Sequence, residues 1–495
     1  MSYITSSAKK SLSLILIAAL LGASSCGGTE SGKITDSSSP TDESTDTTAP
    51  VEKTYPFYDG VDLGGETFTV WNVMPNLWNM HCAIAPEEVD GETVNDAIYN
   101  RNAKVEAKMN YTLKEVNAEY DKMATELDTL VMSGDSTYDA VYMPMFTAGS
   151  GLSQGYYRAL DEIGTIHLGE EWWDQIFLDA TSIGGSHYFA MSNAHLMGWD
   201  GLWCLLFNEN MMDNLGLDYP YQLVRDGKWT LDKLTEYCEA AANLNGDDSF
   251  KCSAQGNSTF GCVSFQHVPM KFLFGLGADF VTKDKNDMPV FDCGNRFIEA
   301  CQKLAVFFGK SGVYLAASSE SAEDIYYQNF YEANRALFLG CELKTTGLLR
   351  NMNENFGIVP FPKLDENQAD YRSTAVHQCA VFTIPVTSTH AEEIGQVFDA
   401  LSYESDEMVL QPYFAVVVEQ KGLRNEDSID MLNIIKRTRS YDIGVAYQWI
   451  SSLEEQIRNK IYNGSADVAS IIDSNKSKVQ ENIDKMLTAI NEANQ

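Results

Sequence analysis

Trp71-Asn72 and Trp199-Asp200 each set a tryptophan beside a polar side chain at a place where both could be used. An indole offers a large rigid face at small entropic cost, and a neighbouring amide or carboxylate engages hydroxyls. A sugar needs both contacts, because its ring has C–H faces and a hydroxyl rim. Trp199-Asp200 lies between Gly198 and Gly201, a loop setting that suits such a pair. Each pair also has a plainer reading: a core tryptophan at Trp71, and a structural Trp with a solvated Asp at 199–200. Trp172-Trp173-Asp174 reads more as packing than binding, since adjacent side chains point different ways, and Trp229 reads as structural. The 8 Trp and 24 Tyr are a generous supply, but aromatics also build cores, so position has to decide.

Catalytic patterns are sparse. Gly309-Lys310-Ser311 imitates the end of a phosphate loop, but Leu304 stands where the first glycine must be. There is no His-Glu-x-x-His pattern and no Cys-x-x-Cys pair. The acidic stretch Asp284-Lys285-Asn286-Asp287 lacks the Gly and terminal Glu of a calcium loop and reads as a hairpin turn. No metal or cofactor is expected. Glycoside hydrolysis requires two carboxylates across a sugar bond, and with 70 Asp and Glu the sequence leaves that alternative open.

The elements that must position these residues follow an α/β rhythm. An alternating strand is expected over Gly65–Trp71, a helix over Val94–Met109, a strand over Tyr111–Val116, a helix over Tyr120–Met132 and a short strand over Tyr138–Met143. This order implies a parallel sheet with covering helices, whose ligands sit beyond the carboxyl ends of the strands. Trp71 and Met143 both occupy such ends. Further strands are expected at Leu202–Asn208, Ala336–Leu339, Phe356–Pro360 and Gln378–Pro385. Helices are expected after Thr230, a plausible N-cap, and over Phe297–Gly309, Tyr326–Ala333 and Ala391–Leu401. The apolar spacing from Ile450 to Ile490 predicts a helical tail packed on the core.

Lys9 and Lys10, the apolar run Leu12–Ala23 and small residues before Cys26 read as a secretory leader, residues 1–25. Ala23-Ser24-Ser25-Cys26-Gly27-Gly28 resembles a bacterial lipobox, with Ala23 where leucine is usual; that resemblance implies acylation of Cys26. An ordinary cleaved leader with a free mature end is the alternative. Residues 26–55 are almost all Ser, Thr, Asp, Glu, Gly and Pro and read as a flexible tether. The formal charge of −35 argues against nucleic acid and against anionic lipid surfaces as partners. Ten cysteines include Cys26, leaving an odd nine, so a fully paired disulfide framework is excluded. Cys252 and Cys262 flank a polar loop and could meet, but reduced cysteines acting as small hydrophobes are expected for most.

Three stretches carry a family resemblance: Asp139-Ala140-Val141-Tyr142-Met143, Gly201 through Asn208, and Phe330 through Gly340, with Ala333 where glycine is usual. Phe356 through Pro362 and Ala380 through Pro385 extend it over nearly all of the folded part. The chain resembles the extracellular solute-binding proteins of bacterial ABC importers, family 1, which includes maltose-binding protein. The resemblance implies a two-lobed periplasmic-binding-protein-like fold with a ligand cleft between lobes, and chain crossings near 189–194 and 358–363. Lobe 1 would comprise 56–190 and 363–410, and lobe 2 would comprise 191–362 and 411–495 with the C-terminal helices. It implies cleft positions for Met143 and Phe146 on the first lobe and for Gln266, His267 and Glu342 on the second, with Trp449 as a further candidate. The implied function is capture of a carbohydrate, an oligosaccharide above all, outside the cell by a monomer, without chemistry. Permease subunits and a cytoplasmic ATPase are the implied partners. The same fold binding a peptide or another polar solute is a further alternative.

Overall fold

The structure, a computed structural model, describes residues 57, 60–317, 326–375, 378–418, 423 and 425–493. Cys26 and the tether lie outside them. The described residues fall within one compact unit, Tyr55–Gln495.

The chain enters at β1 (Glu66–Val73), passes through the helix Thr93–Met109 into β2 (Tyr111–Ala118), and through the helix Met123–Ser133 into β3 (Ala140–Pro144). β1 pairs in parallel with β2, from Glu66↔Tyr111 to Val73↔Ala118, and with β3 at Val70↔Ala140. All three therefore end at one edge of the sheet. Parallel strands need such helical crossovers, and helices on both faces leave strands buried on both sides.

A second sheet begins with β4 (Trp203–Asn208), whose Asn208 side chain caps the helix Glu209–Leu215 through Met211 N–H at 2.9 Å. The expected cap at Thr230 opens the helix Leu231–Ala241, its hydroxyl accepting from Lys233 N–H at 3.4 Å. β5 (Phe260–Ser264) follows, and then a separate hairpin of β6 (Val281–Lys283) and β7 (Pro289–Phe291) around the acidic stretch. β8 (Tyr314–Ala316), β9 (Ala336–Glu342) and β10 (Phe356–Val359) complete the sheet in the order β10-β4-β9-β5-β8. β5, β8 and β9 are mutually parallel and end at Ser264, Ala316 and Glu342; Trp203, at the start of antiparallel β4, faces Glu342 across the ladder.

Residues beyond β10 stay with the second lobe. Leu231 N–H donates to Lys363 O at 2.9 Å, and Arg372 makes a two-pronged pair with Asp279 at 2.6 and 2.9 Å. The short β11 (Ser373–Thr374) precedes Ala375, which bridges to Leu202. Only then does the chain return to the first sheet as β12 (Ala380–Thr383), antiparallel to β3, giving the order β12-β3-β1-β2. The return thus falls at 375–380 and not at 358–363, because hydrogen bonds and an ion pair hold 363–374 to the second lobe. β13 (Arg439–Ser440) pairs with β11, and the helices Ser451–Tyr462 and Ala469–Ala493 end the chain.

Two buried polar centres organise the first lobe, and the first of them also ties it to the crossing segment at Ala194. Arg101 is fully buried, and its guanidinium donates to Ile84 O, Ala194 O, Ser405 Oγ and Asn102 Oδ1 at 2.7–3.2 Å. Asp399, also fully buried, accepts from the indole N–H of Trp172 and Trp173 at 2.9 and 2.8 Å and from His167. Charge-assisted bonds of this kind are roughly twice as strong as neutral ones, and a buried partner left unmade is costly. The nine cysteines among the described residues are free thiols, seven of them buried, so Cys252 and Cys262 are not joined. No helix among the described residues is long and apolar enough to cross a membrane.

Candidate ligand groove

Where the carboxyl ends of the two sheets approach each other, a groove of about 360 Å³ opens. The first lobe supplies Trp78, Asn79 and Met80, from the loop after β1. The second supplies Phe265 beyond β5, the Tyr326-Tyr327-Gln328 segment, and Glu342 and Lys344 beyond β9; Leu348 and Gln378 also line it.

Long-range bonds at its base fix the loop that carries Trp78. Asn72 donates to Cys82 O at 2.6 Å, Glu115 accepts from Ile84 N–H and Ala85 N–H at 2.9 and 2.7 Å, and Arg101 reaches Ile84 O. Between these anchors Trp78 and Asn79 both take left-handed backbone, with φ of 55° and 59°. Two consecutive non-glycine residues there, one of them a tryptophan, are strained, and strain of this kind concentrates at ligand clamps. The Trp78 ring packs against Tyr120 at 4.8 Å, and Tyr120 meets the edge of Phe146 at 6.1 Å. On the opposite wall Tyr326 and Tyr327 lie 4.3 Å apart, with Phe265 at 6.5 Å from Tyr327.

The polar groups of the groove are differently placed. The Glu342 carboxylate makes no hydrogen bond or ion pair among the described residues. Lys344 donates across the groove to the carbonyl of Trp78, so one contact already spans the lobes. On β4, opposite Glu342 in the ladder, the buried indole N–H of Trp203 has no hydrogen-bond partner among the described residues. Fully buried Lys271 has its pKa lowered, chiefly by desolvation, against the opposing charges of Glu454 and Glu342. No group of three or more His, Cys, Asp or Glu side chains among the described residues is placed to hold a metal ion. The surface can stack on flat apolar faces from both sides and exchange hydrogen bonds at its rim.

No family model and no curated protein sequence matches the chain. The structure is similar to the cyclic alpha-maltosyl-1,6-maltose binding protein from Arthrobacter globiformis, with a TM-score of 0.57 at 13% identity, covering 85% of this chain and 99% of that one. It is similar to UgpB from Mycobacterium tuberculosis in complex with glycerophosphocholine, with a TM-score of 0.54 at 14% identity over 86% of this chain and 100% of that one. It is also similar to an ABC substrate-binding protein from Listeria monocytogenes in complex with cycloalternan, with a TM-score of 0.52 at 11% identity over 86% and 99%. The two-lobed α/β architecture is the solute-binding-protein fold. At these identities the likeness is one of fold.

Within this solute-binding-protein fold the sequence-predicted residues are dispersed. Glu342 lines the groove. Phe146 joins the Trp78–Tyr120 aromatic run at its edge. Gln266 is exposed next to Phe265, and His267 accepts from Arg458 at 2.5 Å through Nδ1; desolvation first, then Arg458 and Lys271, push its pKa down to about 4, so the ring is neutral at physiological pH. Trp71 is buried and stacked on Tyr138 at 5.1 Å, Asn72 is spent on the loop anchor, and Met143 is buried, its sulfur 3.5 Å from the Tyr157 hydroxyl. Trp449 is buried and stacked on Tyr447 at 5.3 Å, its indole N–H without a partner among the described residues. Asp200 is 1% exposed, bonding to His81 N–H and Nδ1 and to the Tyr413 hydroxyl; it joins the first-lobe loop to the crossing segment and does not face the groove. Trp199 turns into a different cavity.

Trp78, Phe265, Tyr326, Tyr327 and Lys344 line the groove without having been singled out. The signal available was their place just past predicted strand ends and in the Tyr326-Tyr327 pair. A further pattern, Gly151-Leu152-Ser153-Gln154-Gly155, spells a hydrolase elbow. Ser153 follows the helix Met145–Leu152, is half-buried and donates to Ser150 O at 2.8 Å, so the strand-to-helix turn that pattern needs is missing.

Proposed function

We propose that the chain is the substrate-binding lipoprotein of an ABC importer, capturing a carbohydrate outside the bacterial cell and handing it to a permease. The observation that carries this reading is the groove between the lobes, with aromatic rings on both walls and an unpaired carboxylate at its rim. Flat faces above and below a ring and a hydrogen-bonding rim are what a sugar demands and a free cation does not. Proteins of this fold are described as binding cycloalternan and cyclic maltosyl-maltose, which supports an oligosaccharide. The ligand of UgpB keeps a second class in view, a polar solute with a charged headgroup. A hydrolase is disfavoured because the described lining holds a single carboxylate, Glu342, where glycosidic hydrolysis uses two.

In this reading residues 1–25 direct export, Cys26 carries the acyl anchor and residues 26–55 give the domain reach from the membrane. Metabolic labelling with a radioactive fatty acid tests the anchor: label in the wild type and none in Cys26→Ala supports it, and label-free wild type overturns it. A thermal-shift screen against malto-, cello- and xylo-oligosaccharides tests the ligand class, since a ligand that binds only the native state raises its melting point. Glycerophosphodiesters included in the same screen test the second class.

A further inference from the structure

Glu342 and Lys344 both line the groove, the first at the end of β9 and the second two residues beyond it. Opposite charges this close in sequence and facing one space would ordinarily pair. Here the Lys344 ammonium donates instead to the carbonyl of Trp78 on the opposite wall, and the Glu342 carboxylate has no hydrogen bond or ion pair among the described residues. A charge-assisted bond to a carbonyl stands where an ion pair was available.

The base from which Lys344 reaches is fixed. Leu343 N–H donates to Leu202 O at 2.8 Å, and Lys344 N–H donates to Asp200 O at 3.2 Å. The Asp200 carboxylate accepts from His81 N–H at 2.6 Å and bonds to His81 Nδ1 at 2.8 Å. The bonds therefore close a ring: Trp78 to Lys344, Lys344 to Asp200, Asp200 to His81, and along the chain back to Trp78.

Inside that ring lie the two left-handed residues, Trp78 at φ 55° and Asn79 at φ 59°. The neck of their loop is closed from within, Cys82 N–H donating to Pro75 O at 2.9 Å and Met80 N–H to Leu77 O at 3.1 Å. The carbonyl at its tip is not: among the described residues Lys344 is the one donor to Trp78 O. Strained backbone of this kind persists only where its surroundings over-determine it. Lys344 supplies part of that determination from the second lobe.

We propose that Lys344 is a positioning residue for ligand binding. It holds Trp78 across the groove so that the indole stands as a stacking wall before any sugar enters, and it leaves the Glu342 carboxylate free to accept hydroxyls. A wall already in place spares the ordering cost that binding would otherwise meet. The ligand half of the proposal rests on the carbohydrate reading of the groove; the structural half needs no ligand.

Fluorine NMR of protein labelled with 5-fluorotryptophan separates the eight tryptophans, with Trp78→Phe assigning its signal. Spectra are recorded without ligand for wild type, for Lys344→Met, which keeps the stem and removes the donor, and for Lys344→Arg, which keeps a donor. The expected result is a Trp78 signal that shifts or broadens in Lys344→Met, while those of Trp172, Trp173 and Trp229 stay in place, and that returns toward its wild-type position in Lys344→Arg. A Trp78 signal unmoved in folded Lys344→Met, or moved alike in both variants, overturns the proposal whatever the groove binds. Titration with the oligosaccharide that gives the largest thermal shift should show affinity at least fivefold weaker in Lys344→Met and recovered in Lys344→Arg; full affinity in Lys344→Met also overturns it. If no sugar binds the wild type, the carbohydrate reading fails, and the fluorine spectra still decide whether Lys344 positions Trp78.

Discussion

Trp78 is held in strained backbone by anchors that do not involve its own ring, and the ring is only half buried. Trp78→Ala should therefore weaken sugar binding strongly while leaving the fold intact. Loss of an indole face from a stacking site is expected to cost about 1.5–3 kcal/mol, more than tenfold in Kd. Calorimetric titration beside a melting curve checks both halves. Asp200 should behave in the opposite way, because its carboxylate serves His81 and Tyr413 and not a ligand. Burial opposes charge on His81, but the hydrogen bond and charge of Asp200 outweigh it, so the imidazole pKa is raised above 6.5 in the fold. A raised folded-state value means the contribution is full below pH 6.5 and is lost as pH rises through the higher value. The melting-temperature gap between wild type and His81→Gln should accordingly narrow from mildly acidic to mildly alkaline buffer; a widening gap would reverse the assignment. The adjacent pairs that looked suitable for binding in the sequence are separated by local geometry. Neighbours on a strand point to opposite faces, so Trp71 and Asn72 enter different sides of a sheet covered on both. Neighbours on a helical turn diverge similarly, which sends Trp199 and Asp200 to different places.

The alternation and turn chemistry between residues 65 and 145 made the parallel sheet readable, because apolar strands and capped helices are local signals. The anchors that aim the loops are not local. Arg101 reaches carbonyls at residues 84 and 194 and a hydroxyl at 405, and no pattern around residue 101 announces that. Arg101→Met should lower stability by about 3 kcal/mol or more, since it leaves several buried acceptors unmade, and chemical denaturation measures it. The turn just after β13 carries a second buried titratable group, Asp442. Burial first, then the nearby charge of Asp279, raises the Asp442 pKa to about 7. Its protonated form is favoured in the fold, so its contribution is full below the ordinary value of 3.8 and is lost as pH rises through about 7. Stability of the wild type relative to Asp442→Asn should fall between mildly acidic and neutral buffer, as read from urea midpoints.

At the scale of the whole molecule, two sheets meet with their carboxyl edges toward each other and are joined by crossing segments, so closure about those segments would bring both aromatic walls onto one ligand. The two-lobed plan was legible through the family resemblance carried by the segments at 139–143, 201–208 and 330–340. The groove's membership was less legible, because it is decided by which loops from distant parts of the chain arrive together: Trp78, Tyr326 and Glu342 are hundreds of residues apart in part and share no motif. Ligand-dependent closure requires that the solute prefer the closed state, which contacts it from both sides. Isothermal titration of the purified domain with the oligosaccharide that gives the largest thermal shift, followed by mass analysis of the recovered sugar, tests the central claim most directly. One sugar bound per chain, returned unaltered, with affinity lost in Trp78→Ala, is the predicted result. Cleaved sugar at catalytic turnover, or binding indifferent to Trp78, would contradict it.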